Sequence, residues 1–270
     1  MSIIEYKIPL IVNSDPRAGA LNVGDNGASF EIELEQPLYI PREALQCYIT
    51  VQNFTFWYTF YNITAENNVM DVSYFDGILL VQSTLTIDPG LYDLDHLNVE
   101  IQRKLAASPL PSDLFVLQPS TSDQKTVIRF NYTGVQVDFT VGNSIGPLLG
   151  FNSRLVPLAQ TVSAEQYEKS DNQAQFNNVN YVLLHSDLIS KGIRVNDKYN
   201  QTIAQALLTS APGSQVVSEP QHLPEIPSNE LIGEERSTIR FWITDENDLR
   251  LDTSGETWSA RMIIHYSMKV

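Results

Sequence analysis

A chain of 270 residues with 43% hydrophobic and 18% charged side chains carries enough apolar material for one large core, or a core with a smaller satellite. Its formal charge of -15 disfavours direct binding to nucleic acid or anionic lipid, since both depend on clustered Lys and Arg. A single cysteine excludes an internal disulfide framework, no apolar run is long enough for a membrane helix, and the opening MSIIEYKIPL lacks the pattern of a secretory leader, so neither secretion nor membrane insertion is expected.

The first clear strand pattern is FEIELE, where Phe30, Ile32 and Leu34 alternate with Glu31, Glu33 and Glu35; period two predicts a half-buried strand with a charged, wetted face. ALQCYITVQNFTFWYTF predicts another strand from its β-branched and aromatic content, with Cys47 as a buried, inert thiol. Phe54, Phe56, Tyr58 and Phe60 fall on one face, which predicts core or subunit contact in preference to a ring platform for sugars. GILLVQSTLTI reads as a strand. In PGLYDLDHLNVEIQRKLAASP, Leu94, Leu97, Ile101 and Leu105 recur at three and four, Asp93 stands where it can cap the first turn, and Pro109 follows the end, so a helix is predicted. TVIRFNY and VQVDFTV predict two strands joined in a tight hairpin at Thr133-Gly134, followed by a short second helix from Ser144 to Phe151.

Residues 161–178 and 211–235 are polar and read as mobile stretches; in the second, Pro212, Pro220, Pro224 and Pro227 argue against regular pairing. NVNYVLLHS predicts a strand. The chain closes on STIRFWITD and SARMIIHYSMKV, expected to form a long hairpin across TDENDLRLDTSGE. In the last strand Trp258, Ala260, Met262, Ile264, Tyr266, Met268 and Val270 share one face, and His265 falls on the opposite, wet one. The expected fold class is all-β and mainly antiparallel, built from residues 1–85 plus 152–270, with a small α+β subdomain (strand, helix, hairpin, helix) inserted at 86–151.

Gly142-Asn143-Ser144-Ile145-Gly146 spells GxSxG, the nucleophile elbow of serine hydrolases. A working elbow needs a parallel strand, a sharp turn and a packed helix, whereas here the preceding strand is expected to be antiparallel and Pro147 removes an amide from the helix start. Ser144 or Asn143 as a cap, with Gly142 and Gly146 easing the turn, is the better reading. Asp245, Glu246, Asp248, Asp252 and Glu256 crowd one loop, but Arg250 stands where a calcium loop of the EF-hand type needs glycine, so a solvated connection is expected. The four histidines and one cysteine have no zinc-site spacing, and His222 lies in a proline-rich loop. No catalytic, cofactor-binding or metal-binding residue is therefore assigned.

LTIDPGLYDLDHLNVEIQRKL, then VIRFNYTGVQVDFTV, then IGPLLGF, with STIRFWITDENDLRLDTSGETWSARMIIHY near the end, resemble a pattern in structural proteins of Polinton-like elements, virophages and the adenovirus and tectivirus lineage. The resemblance implies a viral jelly-roll β-sandwich with an insertion between two strands, and a non-enzymatic role in the virion. It implies a capsid vertex (penton) protein in preference to the longer double jelly-roll subunits. Five copies would close a ring through heterologous contacts and meet other capsid proteins. Residues 161–178, 211–235 and the N-terminal MSIIEYKIPLIVNSDPRAG would be arms that order on contact with neighbours. The alternatives are a receptor- or glycan-binding spike or another minor capsid protein and, further off, a serine esterase acting through Ser144.

Overall fold

The computed structural model of the chain describes residues 2–177, 179–195 and 198–269. In chain order its strands and single α-helix are β1 Ile3–Asn13, β2 Leu21–Gly24, β3 Ser29–Tyr39, β4 Ala44–Trp57, β5 Val69–Phe75, β6 Leu80–Thr86, α1 Leu94–Ala106, β7 Phe115–Pro119, β8 Lys125–Phe130, β9 Val135–Asp138, β10 Leu155–Val156, β11 Gln166–Gln173, β12 Tyr181–Ser186, β13 Arg194–Val195, β14 Lys198–Tyr199, β15 Thr202–Leu207, β16 Gln215–Ser218, β17 Ile226–Pro227, β18 Glu235–Thr244 and β19 Ser259–Lys269. Every strand-to-strand ladder among them is antiparallel. They fall into two compact units, Met1–Phe60 with Val179–Val270, and Tyr61–Asn178.

The first unit is a jelly-roll sandwich. One sheet runs β1-β19-β4-β16, with β17 also on β4, and the other runs β15-β12-β18-β3-β2. Most consecutive connections cross from one sheet to the other, which is the jelly-roll pattern. The alternation legible in the sequence fixes the inner faces: Phe30 and Ile239, Phe241 and Ile243 on one side, Ile49, Phe54, Ala260, Met262 and Ile264 on the other, all in one buried cluster. Trp258 anchors that cluster, with its ring centroid 4.8 Å from Phe30 and 5.9 Å from Phe54 and its Nε1–H donating to the Gly27 carbonyl at 2.8 Å. Burying an indole this way is worthwhile only where its one donor finds a partner.

Three expectations change here. STIRFWITD and SARMIIHYSMKV do not form a hairpin: β18 pairs with β12 and β3, β19 with β1 and β4, and the acidic loop between them passes from sheet to sheet. The N-terminal stretch is not an arm but strand β1, paired with β19 along its whole length. Residues 211–235 are paired too, because Pro212, Pro220 and Pro224 fall outside β16 and β17; β16 pairs with β4 from Phe54 to Trp57, and β17 with Tyr48 and Ile49. A proline removes one ladder donor, so it shortens pairing without forbidding it on either side.

The second unit holds sheets β10-β9-β5-β6 and β11-β8-β7 together with α1. The helix starts as its residues predict: the Asp93 carboxylate accepts the His96 amide at 2.7 Å, and Leu97, Ile101 and Leu105 are fully buried. Thr133-Gly134 is not a hairpin turn, since β8 pairs with β7 and β11 while β9 pairs with β5 and β10. Gly134 sits at φ +77° where a Cβ would lie 2.3 Å from the Phe75 carbonyl oxygen, so only glycine lets the chain change sheets at this point. No helix forms from Ser144 to Phe151. The segment is a series of turns, with the Phe151 amide donating to the Gly146 carbonyl at 2.8 Å and Gly150 at φ +83°; Pro147 offers no amide to a helix.

The unit boundaries at 60/61 and 178/179 lie outside the 85/86 and 151/152 expected from periodicity. The cause is pairing: β9 takes β5 as its partner and β8 takes β11, which draws residues 69–86 and 166–173 into the second unit. Of the stretch 161–178, residue 178 lies outside the described residues, and 161–177 contain β11, with Ser170 buried and donating from Oγ to the Asn172 carbonyl at 2.7 Å.

Candidate functional sites and exposed surfaces

The GNSIG stretch is held by local bonds. Ser144 Oγ accepts the Gly146 amide at 3.1 Å, the Val69 amide donates to the Asn143 carbonyl at 2.9 Å, and the Ile145 amide donates to the Val69 carbonyl at 2.9 Å. These last two bonds make a single parallel bridge between Val69 and Ser144. A Cβ on Gly146 would come within 2.8 Å of the Phe139 side chain, and Ile145, Leu148 and Leu149 are buried around it. The glycine is there for close approach and the serine caps the turn. The strand, elbow and helix of a hydrolase are not formed, because the strand before the motif is antiparallel and turns follow it.

His265 lies on the outer face of β19 as alternation predicts, but it is not wet. Only 7% of it is exposed, beneath a Tyr48 ring stacked at 4.4 Å. Its Nδ1 is 3.0 Å from Glu5 Oε1 and its Nε2 3.0 Å from Thr50 Oγ1, while the Tyr48 hydroxyl donates to Glu5 at 2.6 Å. The Tyr48 hydrogen bond, followed by that of His265, lowers the Glu5 carboxyl, and the same bond pushes the Tyr48 phenol up to about 12. This cluster ties β1 to β19 and β4, the edge strand to the middle of its sheet. Sequence periodicity could not find it, because its members come from three strands far apart in the chain.

His185, on β12, is more deeply buried. Its Nε2 is 2.8 Å from Thr244 Oγ1, its Nδ1 is 3.2 Å from Thr202 Oγ1, and its ring lies parallel to Trp242 at 5.4 Å. Burial first, and then the Arg250 charge, bring its pKa down to about 4, so it is neutral at physiological pH. It lines a polar depression of about 410 Å³ with Ser190, Asn200, Gln201 and Arg250. The Arg250 guanidinium lies 4.8 Å over the Trp242 ring. With His185 stacked beside it and Arg250 above, this indole offers little free face to a sugar. His96 and His222 are exposed.

The acidic loop organises itself. Asp245 accepts the amides of Asn247 and Leu249 at 2.8 and 2.9 Å, and Asp252 accepts the Ser254 amide at 2.7 Å and the Asn26 side-chain amide at 2.9 Å. The carboxylates of Asp245 and Asp252 act as turn caps, while that of Glu246 accepts the Asn180 amides. Among the described residues no three His, Cys, Asp or Glu side chains are grouped to hold a metal ion. Phe54, Phe56, Tyr58 and Phe60 are buried in the sandwich core, so the aromatic run is core; only Trp57 and Tyr61 of that run keep about two-fifths of their surface in water. Cys47 is buried with Ser228 Oγ at 3.5 Å, and burial raises its thiol pKa.

Large apolar side chains remain in solvent on loops, on α1 and along strand edges, among them Val162 at 88%, Ile78 at 87% and Leu158 at 78%. Strand β1 is an edge of its sheet, 11 residues long, and Ile3 and Ile11 are 69% and 71% exposed on it. Period-two alternation does not single these out, because an alternating strand does not say whether a second sheet covers its outer face.

No family model matches the chain, and no curated protein matches it. Among solved structures the chain is similar to the crystal structure of the mavirus penton protein, at 10% sequence identity and a TM-score of 0.49, over 97% of this chain and 100% of that one.

Proposed function

We propose that this chain is a structural subunit of a viral capsid, at a vertex, and that it works by closing a ring of identical copies and by contacting neighbouring capsid proteins. The observation that carries this reading is the edge strand β1: 11 residues of unpaired strand edge flanked by exposed Ile3 and Ile11. Proteins that act as monomers blunt such an edge or cover it, because it templates pairing with another chain. Here Glu5, Lys7 and Pro9 are the gatekeepers in the strand, and Glu5 is engaged by His265 and Tyr48. The jelly-roll scaffold and the resemblance of its sequence to structural proteins of the virophage and adenovirus lineage support the same role. The charge of -15 suits an outward or lateral position better than a wall facing packaged nucleic acid. The role needs no catalytic residue and no cofactor.

The test is the mass of the purified chain by sedimentation equilibrium and light scattering. A pentamer or larger closed ring supports the proposal; a strict monomer up to the highest attainable concentration overturns it.

A further inference from the structure

In the second unit, β5 and β6 are joined by Asp76-Gly77-Ile78-Leu79. Exposed turns are ordinarily built from Gly, Asn, Asp, Ser and Pro. This one presents Ile78 at 87% exposure and Leu79 at 62%, flanked by Leu80 and Phe75 at 49% and 41%. The turn is preformed: Asp76 Oδ1 accepts the amides of both Ile78 and Leu79 at 2.8 Å, and Gly77 takes φ +99°. Those two amides also hold the Asp76 carboxyl below its ordinary range. Two large apolar side chains are thus fixed in water before any partner arrives, which lowers the ordering cost of docking.

A lipid surface is a poor partner for this tip. Residues 43–102 contain no Lys or Arg, so nothing near it in sequence attracts an anionic bilayer, and Asp71 and Asp76 repel one. A protein pocket fits better, and the first unit has one. The pairing of β3 with β18 shifts register between Glu33 and Leu38, so that residues 34–37 of β3 face Ser237 alone. The open edge of the sandwich beside this bulge is an apolar cleft of about 360 Å³. Ile8, Leu10, Leu34, Leu38, Tyr39 and Ile239 line it, and none of its lining residues is charged. Exposed Ile4 and Tyr6 continue the apolar surface along β1.

We propose that the Ile78-Leu79 tip of one copy docks in the β1–β3 cleft of a second copy. This rests on the assembly reading above and names a contact for it. A projecting apolar patch and an apolar pocket at a different place on the same chain make a head-to-tail contact, the kind that closes rings when the rotation allows. Four side chains bury far less than the roughly 1,200–2,000 Å² of a stable interface. The tip therefore sets register within a wider contact, and does not hold two copies together alone.

The experiment uses the full chain. Leu79→Cys and Tyr39→Cys, both at exposed positions, are prepared separately, mixed, and treated with a short bis-maleimide; the native Cys47 is buried and does not compete. A cross-linked dimer is expected in the mixture at higher yield than in either variant alone. The double variant Ile78→Asp/Leu79→Asp is expected to melt like the wild type and to associate about tenfold more weakly, as when one anchor is removed. If the wild type assembles, the double variant assembles equally and no mixed cross-link forms, this inference falls and the capsid reading stands. A wild type that is strictly monomeric and gives no cross-link overturns both. Binding of the wild type to phosphatidylcholine vesicles, lost in the double variant, would assign the tip to lipid and overturn the inference.

Discussion

Acidification should destabilise the sandwich through His185. Its pKa falls from an ordinary value near 6.5 to about 4 because the folded core desolvates the imidazolium. The folded state therefore binds a proton less readily than the unfolded chain, and the unfolded chain gains it first as pH drops. Stability is fully present above pH 6.5 and is lost as pH falls from 6.5 toward 4. At about 1.36 kcal/mol per unit, the gap of 2.5 units gives about 3 kcal/mol in all, of which about 2 kcal/mol is gone by pH 5. Asp248 Oδ1 stands 3.9 Å from Nε2 but is mostly exposed, so solvent screens what it offers the protonated ring. All three tryptophans, Trp57, Trp242 and Trp258, lie in the first unit, so intrinsic fluorescence reports its unfolding without interference from the second. Urea melts at pH 7.5, 6.5, 5.5 and 5.0 should show the wild type losing about 2 kcal/mol more than His185→Gln, which has no charge to gain in this range. Parallel pH profiles for the two proteins would show that His185 is solvated or already protonated, and the burial argument would be wrong.

Trp258→Ala should destabilise the first unit by about 3–5 kcal/mol through the cavity it leaves between Phe30 and Phe54, read as the urea midpoint by circular dichroism; a loss under 1 kcal/mol would mean the ring is not the anchor described. Gly134→Ala should cost about 2 kcal/mol or more, from its left-handed φ of +77° together with the 2.3 Å approach to the Phe75 carbonyl, and should open β8 and β9 to hydrogen exchange while leaving the tryptophan signal unchanged. Ser144→Ala should change stability by less than about 1 kcal/mol, the worth of one turn-capping bond. A fluorophosphonate probe should leave Ser144 unlabelled, and a covalent adduct there in peptide mass mapping would revive the hydrolase reading.

The sequence by itself determined what depends on neighbours along the chain. Period-two alternation gave the inward faces of β3, β18 and β19, and three-and-four spacing with Asp93 as cap gave α1. It also made the aromatic run from Phe54 to Phe60 legible as core. Only the tertiary structure decided which strand meets which. Thr133-Gly134 has a hairpin's composition yet passes the chain between sheets, the loop before Ser259 does the same, and the polar residues 166–173 find a partner in β8. His265 faces outward as its position requires and is buried all the same, because Tyr48 and Glu5 arrive from other strands to cover it. The exposure of Ile78 and of β1 is likewise a statement about what fails to cover them. A strand's periodicity is set by the geometry of its own backbone, whereas ladder partners and outer-face cover are non-local, and a pattern of period two carries no information about either.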